Sequence, residues 1–134
     1  PWRTVIVRLL LDTQIILWAL TGSVRLGAVA HDLIANPANE VYVSTASIWE
    51  IAIKHALGRG DMPVSGARAA ELCAEAGYRE LPVAWRHAAA VEILPPLHAD
   101  PFDRILVAQA TVEPMRLLSR DATVAGYGAI VMAV

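Results

Sequence analysis

The sequence predicts an α/β fold, a mainly parallel central sheet with helices packed on both faces. Three observations predict it. Short apolar runs rich in Val, Ile and Leu alternate with stretches of helical periodicity along the whole chain. Helix-capping residue types follow the first and fourth of these runs. The composition is 56% hydrophobic and 18% charged, which excludes a disordered chain and suits strands covered on both sides. At 134 residues, with no internal linker, repeat or low-complexity tract, residues 1–134 are expected to form one domain.

Taken in order, residues 5–11 read as a buried strand that stops at Asp12-Thr13. Residues 13–20 carry Ile16, Leu17 and Leu20 on one helical face, closed by Thr21-Gly22-Ser23, and a second helix over 27–35 ends at Asn36-Pro37. A strand over 41–44 precedes a helix over 46–57, terminated by Gly58 and Gly60. The helix 66–76 leads through Gly77 to a strand at 79–83, placed at the sheet edge because Pro82 lacks a ladder donor. Residues 85–93 form a helix halted by Pro95-Pro96, and Asp100-Pro101 opens another over 102–112. A strand at 115–119, a short helix at 121–126 and a strand at 129–134 complete the alternation.

Four acids, Asp12, Glu50, Asp103 and Asp121, each lie just after a strand-like run and at or near a helix start. In a parallel sheet all strand-to-helix junctions share one edge, so these carboxylates are expected to converge there. Each has a plainer explanation. Asp12 and Asp121 could be helix caps, Ser47-Ile48-Trp49-Glu50 matches a capping box, and Asp100 with Pro101 and a dipole-favoured Asp103 makes a good helix start. Capping does not require an acid each time, however, and Glu50 lies deep in its helix if Ser44 or Thr45 begins it. Two carboxylates about 4 Å apart repel by about 1 kcal/mol in water and about 4 kcal/mol at an effective dielectric of about 20. A gathered set therefore calls for a cation or added protons, and Mg²⁺ or Mn²⁺ suits an all-oxygen site.

Other features point nowhere so definite. Cys73, the single cysteine, reads as a small buried thiol and fits a cytoplasmic location. No apolar stretch is long enough to span a membrane, and Arg8 and Asp12 interrupt what would be the apolar centre of a signal peptide. The net charge of −2 does not advertise nucleic-acid binding, although local basic patches are compatible with it. His31, His55, His87 and His98 lack zinc-ligand spacing, with His98 taken for a surface residue that could line a cleft. Trp2, Trp18, Trp49 and Trp85 could stack on bases, but Trp18, Trp49 and Trp85 fall in helical apolar patterns, for which core or subunit-interface packing is the stronger expectation. Gly58-Arg59-Gly60 follows a helix, whereas phosphate-cradling loops precede one.

The segments Leu10-Leu11-Asp12-Thr13, Ser47-Ile48-Trp49-Glu50-Ile51-Ala52-Ile53-Lys54, Asp100-Pro101-Phe102-Asp103-Arg104-Ile105-Leu106-Val107-Ala108-Gln109-Ala110 and Leu118-Ser119-Arg120-Asp121 resemble the signatures of PIN-domain ribonucleases. More narrowly, they are similar to VapC-type toxins of bacterial type II toxin–antitoxin systems, in order and spacing over almost the whole chain. The resemblance implies a three-layer α/β/α sandwich that binds Mg²⁺ or Mn²⁺ and hydrolyses RNA phosphodiesters. It places Asp12, Glu50, Asp103 and Asp121 in the metal-binding, catalytic set. Thr13 is implied to orient Asp12, Asp100 to cap its helix or reach the metal through water, and Lys54 and Arg120 to contact RNA phosphate. Arg104 is expected to pair with a neighbouring acid. A homodimer and a neutralising antitoxin protein are the implied partners. Two other classes stay open: a receiver-like or phosphatase-like phosphoryl-handling domain, disfavoured because the sole lysine, Lys54, is not at a strand end, and a binding module whose acids are only caps.

Overall fold

Leu9, Leu10 and Leu11 have no exposed surface, because the strand they form is covered on both faces. That strand, β1 (Arg8–Leu11), is the middle of a five-stranded sheet in a computed structural model that describes residues 6–59 and 61–134. The other strands are β2 (Glu40–Ser44), β3 (Arg79–Leu81), β4 (Arg116–Ser119) and β5 (Val131–Ala133), in the order β3-β2-β1-β4-β5 and parallel throughout. Register is fixed by pairs such as Leu10 with Tyr42 and Leu11 with Leu118.

Among the described residues seven helices cover the sheet: α1 (Thr13–Thr21), α2 (Ala28–Ala35), α3 (Thr45–Ala56), α4 (Gly66–Glu75), α5 (Trp85–Ala90), α6 (Pro101–Val112) and α7 (Ala122–Ala125). Because side chains alternate along a strand, Leu9 and Leu11 enter a core with Ile15, Ile16, Ala30 and Cys73, while Leu10 enters one with Leu106, Val107, Leu117 and Val124. These two cores, one on each face, make the expected α/β/α sandwich. A third cluster, Leu17, Ile51 and Ala69, joins α1, α3 and α4. There α4 approaches α3 so closely that a Cβ on Gly66 would stand 2.7 Å from the Cβ of Ala52.

Several boundaries differ from expectation. Residue 5 lies outside the described residues, and the first strand begins only at Arg8, whose guanidinium binds the carbonyls of Glu113 and Pro114. The third strand stops at Leu81, directly before Pro82, and does occupy the sheet edge. The helix expected over 85–93 divides into α5 and a 3₁₀ turn, Val91–Ile93, and another 3₁₀ turn, Val24–Leu26, precedes α2. The last strand shrinks to three residues. Ser44, not Ser47, caps α3, accepting from the Ala46 amide, so the capping box expected at Ser47 and Glu50 is absent and Glu50 falls in the second turn.

The order in which strands join the sheet reverses around β1. From it the chain runs outward through β2 to β3, then crosses back to β4 on the other side. The crevice at the carboxyl ends of β1 and β4 is the place where such sheets bind ligands.

Candidate active site

Asp12 leaves the end of β1 at that reversal, its amide still bonded to Leu118 O at 3.1 Å. It is a helix cap as well, accepting from the Ile15 amide at 2.8 Å. Asp121 occupies the equivalent position after β4, capping α7 through the amides of Thr123 at 2.8 Å and Val124 at 3.3 Å. The fully buried Ser119 joins the two: its hydroxyl bonds Asp12 and accepts the Asp121 amide at 3.1 Å.

Glu50 and Asp103 have no capping role. Glu50 is buried on the inward face of α3, where Thr13 Oγ1 donates to its Oε1 at 2.6 Å and Lys54 Nζ to its Oε2 at 2.6 Å. Asp103 projects from the first turn of α6. The cap of that helix is Asp100, which accepts from the amides of Phe102 at 2.8 Å and Asp103 at 3.3 Å. Asp12, Glu50, Asp100, Asp103 and Asp121 all line one cleft of about 950 Å³, with Arg25, Lys54, Arg59 and Arg120 also on its walls.

The electrostatics match a crowded carboxylate floor. Burial lifts the Asp12 carboxyl above its usual range; bonds from Ser119 and the Ile15 amide pull it back, and the charges of Asp121 and Glu50 push it up. Asp103 is raised to about 6, first by burial and then by Asp100, with His98 acting in the opposite sense. Burial also pushes Asp121 upward, but its two helix amides and His98 outweigh that and leave it below the usual range.

Several neighbouring residues behave differently from the sequence reading. Thr13 holds Glu50, not Asp12, with the Ser47 hydroxyl 3.0 Å away. Among the described residues Arg104 pairs with no acid: it donates to Pro95 O at 3.0 Å, Val91 O at 3.1 Å and the Tyr127 hydroxyl at 3.1 Å, bracing the segment before α6. Arg120 donates to the backbone carbonyls of Val134, Arg25 and Leu26 and lies 4.9 Å from the Trp18 ring centroid, so its guanidinium is already engaged. A Cβ on Gly27, which holds φ +78°, would stand 3.0 Å from that guanidinium. Trp49 and Trp85 are exposed in the single chain, contrary to core packing, and Trp2 lies outside the described residues.

His98 is the residue the sequence undervalued. Its Nε2 lies 3.0 Å from Asp103 Oδ2 and 3.5 Å from Asp121 Oδ2. Among the described residues, His98, Asp103 and Asp121 bring potential ligand atoms within 4.8 Å of one another. Spacing within a single helix does not reveal such a group, because its members come from three separate segments. The only available clue was its place two residues before the Asp100 cap. Asp12 and Glu50 stand outside that close group but line the same cleft, and with four carboxylates supplying oxygen the donor set fits a hard divalent cation such as Mg²⁺ or Mn²⁺ better than a thiolate-preferring one.

Fold and site together define a parallel α/β protein with a carboxylate-lined crevice at its topological switch point. The sequence matches the PIN domain family over residues 9–128, and the chain belongs to that family. Compared with curated proteins by sequence, it has no significant match. Solved structures share its fold. The VapBC2 complex of Rickettsia felis, bound to a DNA fragment from its promoter, has a chain 12% identical with TM-score 0.70, covering 94% of this chain and 98% of that one. A toxin–antitoxin complex from Klebsiella pneumoniae contains one 17% identical with TM-score 0.65, covering 92% and 95%. FitAcB from Neisseria gonorrhoeae is 22% identical with TM-score 0.60, covering 89% and 91%.

Proposed function

We propose that this chain is a divalent-cation-dependent endoribonuclease, the toxin of a toxin–antitoxin pair. The observation that carries the reading is the convergence of Asp12, Glu50, Asp103 and Asp121 on one cleft. Capping accounts for Asp12 and Asp121, but not for the buried Glu50 or for Asp103. A binding module with incidental caps therefore leaves half of the set unexplained. Membership of the PIN family weighs in the same direction.

In this reading the four acids hold Mg²⁺ or Mn²⁺ directly or through its waters. When bound, the cation supplies a water of lowered pKa and neutralises charge on the attacked phosphate. A bound cation would displace the proton that the raised Asp103 carboxyl holds without metal, so Asp103 serves this reading as a ligand. Thr13 and Lys54 fix the Glu50 carboxylate. Lys54, Arg25 and Arg59 place positive charge along the cleft walls, suited to RNA phosphates, whereas Arg120 contributes chiefly by bracing the wall.

An antitoxin partner is supported by the toxin–antitoxin complexes among the structural neighbours. A second apolar groove of about 540 Å³, lined by Trp49, Val83, Phe102 and Ile105, gives a surface for that protein or for a second copy of the chain. No helix among the described residues is long and apolar enough to cross a membrane, consistent with the cytoplasmic setting such a pair requires.

The test is cleavage of an RNA panel with Mn²⁺ by wild type, Asp12→Asn and Asp103→Asn. Each substitution is expected to lower the rate by about 100-fold or more, since even residues behind a metal's ligands contribute about 10–100-fold. Variants that cut as fast as wild type would end the assignment.

A further inference from the structure

His98 is fixed from several directions. Its backbone amide donates to the Tyr127 hydroxyl at 3.1 Å, and Arg104 donates to that same hydroxyl while tying down the carbonyls of Val91 and Pro95. The ring's Nδ1 lies 3.1 Å from the Asp100 amide, and an amide N–H can only donate, so Nδ1 accepts with its lone pair. A neutral imidazole carries one proton, which this arrangement confines to Nε2. Nε2 in turn faces Oδ2 of Asp103 and Oδ2 of Asp121, two carboxylates supplied by different elements.

We propose that His98 is a positioning residue: a donor of fixed tautomer whose Nε2–H aligns the Asp103 and Asp121 carboxylates for a divalent cation without itself being a ligand. The inference rests on the nuclease reading above, in which those acids hold the cation. Asp121 Oδ1 is already oriented by the amides of Thr123 and Val124, so a donor at Oδ2 completes its alignment. On Asp103, His98 approaches Oδ2, and the residue itself lines the cleft. Ligation by His98 would require a lone pair at Nε2 and hence a proton at Nδ1, set against the Asp100 N–H. The loop that Arg104 and Tyr127 brace thus sets Nε2 beside the carboxylates proposed to hold the metal, an arrangement common behind metal sites.

Two measurements test it. In wild-type protein without added metal, long-range ¹H–¹⁵N NMR in mildly alkaline buffer is expected to show the His98 proton on Nε2. Calorimetric titration with Mn²⁺ then compares wild type with three variants. His98→Ala has neither function, and His98→Asn can accept from Asp100 but cannot reach the carboxylates. His98→Gln brings an amide donor to the place of Nε2. Ala and Asn are expected to weaken Mn²⁺ binding by about 10–100-fold, with Gln retaining most of the affinity. A proton found on Nδ1, or a Gln variant as weak as Ala, would overturn the inference. Wild type that binds no Mn²⁺ at all would instead overturn the nuclease reading and take this one with it. The NMR result does not depend on any variant folding.

Discussion

The Thr13 hydroxyl donates to Glu50 Oε1 across 2.6 Å, binding the residue after the first acid to the second acid, 37 positions along the chain. Both partners are buried, so this bond links the start of α1 to the second turn of α3 beneath the cleft.

Replacing Thr13 with valine keeps the shape and removes the donor. Thr13→Val is expected to destabilise the fold by about 1–3 kcal/mol, the cost of leaving a buried acceptor short of a partner, and Thr13→Ser to restore most of it. Urea unfolding of the three proteins gives the comparison. A valine variant as stable as wild type would show that Lys54 alone suffices to hold Glu50.

Asp103 sets a pH dependence whose sign is fixed. Its carboxyl, raised to about 6 from 3.8, binds a proton more tightly in the folded state than in the unfolded chain. This group's contribution to stability therefore falls as pH climbs from about 4 to about 6 and changes little above. Asp12, also raised, acts in the same direction. Cations compete with these protons, so Mn²⁺ is expected to stabilise the protein little below about pH 6 and increasingly above it. Melting temperatures against pH, with and without Mn²⁺, are expected to show both trends, and Asp103→Asn to lose much of the fall. A variant with the wild-type profile would assign the titration elsewhere.

Away from the cleft, His87 Nε2 lies 2.5 Å from Glu113 Oε2, and Arg86 reaches the same oxygen at 2.5 Å. The His87 bond chiefly, assisted by Arg86 and opposed by burial, holds the Glu113 carboxyl below its usual range. Stability from this group is present above the unfolded value of about 4.5 and is lost as pH falls through the lower folded one. Glu113→Gln is expected to cost about 1.5–3 kcal/mol at neutral pH, with the difference closing in acid. Parallel denaturation curves at neutral and acid pH would expose a gap that fails to close.

The elements were legible where local chemistry decides them. Short aliphatic runs gave most of the strands, Pro82 the edge strand, and Asp12, Asp100 and Asp121 the caps. What escaped were choices made between elements. Ser44 and Ser47 are both good caps, and only the true start of α3 decides between them. Thr13 had two acids within reach once folded, and adjacency in sequence favoured the wrong one. Arg104 found carbonyls and a tyrosine hydroxyl supplied by segments up to 23 residues away, which no local pattern encodes. Trp49 follows a helical apolar rhythm yet packs its ring edge-on against Phe102, 5.2 Å between centroids, on an open face.

The sheet order has a further implication for the cell that makes this protein. Because Asp12 and Asp121 meet only after β4 has paired with β1, a polypeptide still emerging from the ribosome has its first acid long before its last. On the proposed nuclease reading, a growing chain that has not passed the fourth strand lacks the complete acidic site and would be unable to attack the message that encodes it. Danger and maturity then arrive together, leaving an inhibitor made alongside it time to be ready.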